Sequence, residues 1–289
     1  MSSVRPSRRG FSLVELLVVI GIVVILCSIF VPYVAKLREA ENRAHCAENL
    51  RTILGGLQSY ARANHGILPR VTYDPAHNPQ GYSAFTGAAS PDPFAADTQV
   101  RPNDVTASLW LLVRVGLMQP AVFICPSGSE NVDPFDSPEG RHRSNFASPR
   151  HLGYSYASPF SAAPGYILND YLPADFALLA DKNPGKSASG SDVTGPAYND
   201  PPMAMARANS NNHGRAGQNV LYSDGHVAFQ VTPYCGVGKG ALRDNVYTAL
   251  QQKPVQKGQA PPVEQNGVIG RDVGPAWDRD SYLVPTEQD

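Results

Sequence analysis

The sequence predicts an α+β protein: one long N-terminal helix, apolar in its first half and amphipathic in its second, packed on a small antiparallel β-sheet head. Three observations carry this. Residues 11–31 form an apolar run with a single charge, Glu15, and about 20 apolar residues cross the hydrocarbon core of a membrane. Residues 33–64 continue with apolar side chains at three- and four-residue steps, the helical period. The rest of the 289-residue chain is rich in glycine (25) and proline (26). It breaks into short apolar runs separated by turn residues, which points to strands and loops rather than a helical bundle.

The first element is the apolar run. Arg5, Arg8 and Arg9 precede it with no acid among them, a positive flank that keeps the N-terminus in the cytoplasm. The run is too long for the core of a secretory signal peptide, and "LCSIFVPYV" offers no small-residue cleavage site. Glu15 is costly there, about 3 kcal/mol at the centre of a spanning helix and less near its end. Its place in the first turn suits a negative charge. A cut after Gly10 gives it a second partner: the new amine of Phe11, four residues back, on a neighbouring subunit. Such an ion pair sets register within a stack of identical helices.

The second element carries Val34, Leu37, Ala40, Ala44, Ala47, Leu50, Leu54, Leu57 and Ala61 as its apolar stripe. Glu39 faces Arg43 and Glu48 faces Arg51 on the other side. Gly66 and Pro69 stop it. Residues 70–104 lack periodicity and read as a long surface loop. A helix follows over 105–118, capped by Asp104 or Thr106. "AVFICPSG", "HLGYSYASPF" and "DFALLADKNPG" read as strands. "NVLYS" and "HVAFQVT" read as a hairpin turning at Asp224-Gly225. From Gln251 the chain is expected to be mobile, with Trp277–Val284 as the one patch able to dock.

Four cysteines are present, Cys27 inside the apolar run and Cys46, Cys125 and Cys235 beyond it. The pairing expected is Cys125–Cys235, against the alternative of two buried thiols. A net charge of −1 gives no electrostatic preference for nucleic acid, and none is expected as a partner. "RHRSNFASPR" at 141–150 reads as a solvated basic loop. No phosphate-binding glycine motif is present, and "GVGKG" at 236–240 reads as a loop. Ser223, His226 and Asp181 lack the strand–turn–helix setting of a hydrolase nucleophile, so no enzyme is expected. His213, Asp224 and His226 are all metal-ligating types. Two readings stay open for them. One is a calcium or zinc site. The other is purely structural: Asp224 accepts turn N–H groups, Gly225 supplies a positive φ, and His213 bonds across the hairpin. No resident cofactor is expected.

"RRGFSLVELLVVIGIVVIL" resembles the leader of type IV prepilins and type II secretion pseudopilins: basic residues, Gly, then Phe-Ser-Leu-Val-Glu and a long apolar run. The resemblance implies that Gly10 precedes the prepilin peptidase cut, Phe11 becomes the N-methylated first residue, and Glu15 is the assembly acid. Pro32 stands where many of these proteins carry a helix-kinking proline. It implies a division into a leader (1–10), transmembrane helix (11–32), amphipathic helix (33–64), periplasmic pilin-like head (65–250) and tail (251–289). The partners are then prepilin peptidase, other pilin or pseudopilin subunits and the inner membrane. Many pseudopilins also bind calcium in a C-terminal loop.

"NHGRAGQNVLYSDGHVAFQ" is similar to a C-terminal signature that accompanies such leaders in planctomycetes and related bacteria, a histidine, nine residues and Asp-Gly. Here ten residues separate His213 from Asp224. That family implies architecture and export route rather than an activity. The function expected is a pilus or pseudopilus subunit. The alternative is a membrane-anchored extracytoplasmic binding protein that uses the leader only for export and anchoring.

Overall fold

The computed structural model describes residues 12–76, 81–134, 142–185, 196–249 and 273–286. The chain divides into two compact units, residues 1–41 and 42–289. Helix α1 (Leu13–Ala63) runs through the division. Within the first unit its side chains are exposed from Ser12 to Tyr33, and Pro32 lies inside the helix.

In the second unit α1 buries Cys46, Asn49, Leu50, Ile53, Gly56, Leu57 and Ala61. This face is rotated from the expected stripe, keeping Leu50, Leu57 and Ala61 but replacing the smaller Ala44 and Ala47 with Cys46 and Ile53. An alanine methyl is too small to decide which face a helix buries; the larger apolar side chains decide it. Glu48 pairs with Arg51 at 3.2 Å. The helix stops where His65 (φ 55°) and Gly66 (φ 82°) turn left-handed, and the Gly66 N–H reaches back to the Ala61 carbonyl.

Residues 70–104 form no helix or strand where described, as expected, and run partly along the surface, but single side chains anchor the segment in the core. Val71, Tyr82, Ala84 and Val100 are buried in a second core with Val105, Leu111, Phe160, Tyr282 and Val284. Asp104 ties that loop to helix α2 (Val105–Arg114). Its Oδ1 caps the helix by accepting the Ala107 N–H at 2.8 Å, and its Oδ2 accepts the Thr86 N–H and hydroxyl at 2.9 and 2.6 Å. Every α2 residue from Val105 to Val113 is buried, so propensity mattered less than packing.

The head's sheet has five strands: β1 (Tyr154–Ala157), β2 (Ala177–Asp181), β3 (Gln218–Tyr222), β4 (Val227–Gln230) and β5 (Leu283–Val284). Their order is β4-β3-β2-β1-β5, every pairing antiparallel. A short helix, α3 (Pro202–Ala208), lies between β2 and β3. The fold is α+β, a long N-terminal apolar helix with an antiparallel sheet.

Three further expectations are corrected. "AVFICPSG" is a 3₁₀ turn over Pro120–Phe123, for which Pro120 presets φ. The disulfide joins Cys46 to Cys125, with Cα atoms 5.3 Å apart, and Cys235 is a buried free thiol. The basic stretch near Arg143 is a plug in the core: Phe146 is buried edge-on to Trp110 and Phe123, and Arg143 forks onto Asp133 at 2.6 and 3.1 Å. At the C-terminus, the stretch expected to be mobile lies outside the described residues over 250–272, and the Trp277–Val284 patch docks as its composition allowed: β5 adds to the β1 edge, and Val273, Ala276, Trp277 and Tyr282 are buried.

Candidate functional site

The sequence places function at two points, and the structure gives each a geometry. At the N-terminus Ser12 and Glu15 form a capping box. The Glu15 N–H donates to Ser12 Oγ at 3.2 Å, and the Ser12 N–H donates to Glu15 Oε2 at 2.9 Å. Two backbone donors with no intrahelical acceptor are thereby satisfied. Glu15 thus sits in the first turn with a backbone partner that the sequence reading did not identify, although Ser-x-x-Glu before an apolar run is its signature. Gly10 and Phe11 lie outside the described residues. Among the described residues one helix, Leu13–Ala63, is long and apolar enough to cross a membrane.

At the hairpin, β3 and β4 are joined by Ser223, Asp224, Gly225 and His226. Gly225 has φ 95° and its N–H returns to the Tyr222 carbonyl at 2.9 Å. This four-residue connection, with its third residue left-handed, replaces the tight two-residue Asp-Gly turn. Asp224 Oδ1 accepts the His226 N–H at 3.0 Å and lies 2.6 Å from His226 Nδ1. The His226 ring stacks on Tyr222 at 4.3 Å. Burial is the largest single influence on the Asp224 carboxyl and raises its pKa, but the hydrogen bonds and electrostatic attraction of His226 together outweigh it and hold the pKa below its ordinary value. Ser223 Oγ donates to the Pro173 carbonyl.

His213 is not with them. It precedes β3 in a left-handed conformation, φ 56° and ψ 27°, and its side chain is fully buried. Its Nε2 lies 3.2 Å from Asp181 Oδ2, 3.7 Å from Cys125 Sγ and 3.3 Å from Asn219 Nδ2. Asp181 ends β2 and accepts the Asn219 backbone N–H at 2.6 Å. The ligating atoms of Cys46, Cys125, Asp181 and His213 all lie within 4.8 Å of one another. The structure therefore brings Asp224 to His226, and His213 to three residues the sequence reading had not grouped with it. Nothing in spacing signals that group, because its members stand at 46, 125, 181 and 213 and meet only through the sheet and α1. The one hint was Asp181, an acid closing the apolar run "FALLAD".

Comparison with known families finds the prokaryotic N-terminal methylation motif at residues 5–31. No curated protein and no solved structure is significantly similar to the chain. The matched segment includes the basic flank, Gly10, Phe11, Glu15 and most of the apolar run. The N-terminus is thus a prepilin-like leader leading into a helix of membrane-spanning length, the arrangement of a membrane-anchored protein.

Proposed function

We propose that the chain is a structural subunit, a pseudopilin or minor pilin, of a type IV pilus or type II secretion pseudopilus. Prepilin peptidase cuts after Gly10, Phe11 is N-methylated, and the helix enters a stack of like subunits in the inner membrane. Glu15 then meets the Phe11 amine of a neighbour. The observation that carries this reading is the methylation motif with its acid in the first helical turn. The Cys46–Cys125 disulfide supports a head on the oxidising, periplasmic side. The role is one of assembly rather than catalysis. In support, the serine, histidine and aspartate of a paper triad are dispersed, with Ser223 on a carbonyl, His226 on Asp224 and Asp181 on His213.

The test is Glu15→Ala in the native host. The variant should still be cut and membrane-bound, while its share of the sheared or cross-linked filament falls about a hundredfold. That matches the roughly 3 kcal/mol lost when one partner of a desolvated ion pair is removed. Filament incorporation at the unaltered level would contradict the proposal and favour a tethered binding protein.

A further inference from the structure

We propose that Cys46, Cys125, Asp181 and His213 are a zinc(II) site, open when the two cysteines are thiols and closed when they are joined as the disulfide. Two sulfurs, one imidazole nitrogen and one carboxylate oxygen converge within 4.8 Å, and zinc takes four ligands of these types in structural sites. Zinc–ligand bonds of about 2.0–2.3 Å place tetrahedral ligand atoms roughly 3.3–3.8 Å apart. The His213–Asp181 and His213–Cys125 separations, 3.2 and 3.7 Å, are close to that spacing.

A second observation is independent of the clustering. Asp181 Oδ1 is buried and has no hydrogen-bond partner among the described residues. Leaving a buried carboxylate oxygen unpaired is unfavourable, and a cation bound by the Asp181 carboxylate relieves it. The surroundings are already shaped for this. The Asn219 N–H fixes the Asp181 carboxylate, and the strained turn at His213, costing about 1 kcal/mol, aims the imidazole at the cluster.

The same residues invite a nucleophilic reading, which the geometry opposes. One ring nitrogen, Nε2, faces both the Cys125 sulfur and the Asp181 carboxylate. A base passing a proton from thiol to carboxylate-oriented imidazole uses two different nitrogens.

The two states interconvert with simple balance. A phosphine breaks the sulfur–sulfur bond with two electrons and leaves as its oxide, taking its oxygen from water, whose two protons complete the two thiols; two small thiols do the same by supplying their own protons and leaving as their disulfide. Zinc then displaces those two protons to solvent and bonds to two thiolates. The sulfurs must part to about 3.8 Å. The cluster thus offers the head two alternative cross-links between α1 and the segment after α2.

The experiment uses the full chain in detergent, carrying Cys27→Ser to remove the exposed thiol. Protein reduced with a water-soluble phosphine is dialysed against zinc(II) or cobalt(II), and bound metal is measured alongside near-ultraviolet circular dichroism. The expected result is about one zinc per reduced chain, none per oxidised chain, and a thiolate-to-cobalt charge-transfer band. Asp181→Asn and His213→Ala should each weaken binding at least about tenfold, while Cys235→Ser leaves it unchanged. A reduced, folded chain that binds no zinc would overturn the proposal, as would affinity unaltered by Asp181→Asn and Cys46→Ser. If reduction alone unfolds the head, stoichiometric zinc must restore the native spectrum, and failure to do so overturns it equally.

Discussion

Asp280 is a carboxylic acid with 0 % exposure. Its Oδ2 accepts the Ala276 N–H at 2.6 Å, and the neighbouring Asp244 accepts the Ser281 N–H at 3.0 Å. Burial first, and the Asp244 carboxylate second, push the Asp280 pKa well above the ordinary value. The folded chain therefore holds a proton that the unfolded chain releases near pH 4. The stability from that proton is fully present below about pH 4 and is lost as pH rises through the folded pKa, by up to about 1.4 kcal/mol per unit. Asp280→Asn should flatten that fall while keeping an acceptor for Ala276. Urea unfolding of both proteins from about pH 4 to about pH 8 checks this, and parallel curves would contradict it. Residue chemistry of this kind was not legible beforehand, because Asp244 and Asp280 meet only after the C-terminal segment packs. Cys235 illustrates the same limit. It was expected in a disulfide, yet it is a free thiol whose pKa burial pushes up to about 12.

At the scale of elements, the Cys46–Cys125 bond fastens the second half of α1 to the chain leaving α2, closing a sequence separation of 79 residues. Arg43 adds a contact by placing its guanidinium 4.2 Å from the Phe229 ring of β4. In the chain-entropy account a loop of that length is worth about 4.5 kcal/mol. Cys46→Ser should therefore lower the guanidinium midpoint markedly without added metal, and reductant should have no further effect on the variant. Loss of the reductant effect in Cys235→Ser instead would contradict this assignment. The elements themselves were largely readable. The strands in "GYSYAS" and "FALLAD", the hairpin and the Asp104 cap follow from apolar runs and turn chemistry. The contents of 70–104 and of the Arg143 segment were not. Their burial comes from single side chains such as Tyr82 and Phe146 without periodicity, and periodicity is what a sequence displays.

At the scale of the molecule, the N-terminal unit carries the methylation motif and the long apolar helix, and the head carries the disulfide and the buried cluster. The motif at residues 5–31 and the long apolar helix were legible, because a basic flank and an apolar run are local features. The head's cluster is assembled from four distant positions and had no local signature. The central claim is that the leader is used. It is tested most directly by the N-terminal mass of the chain extracted from its host's membranes. The account predicts a chain beginning at N-methylated Phe11. A chain still beginning at Met1, with residues 1–10 intact, would contradict it.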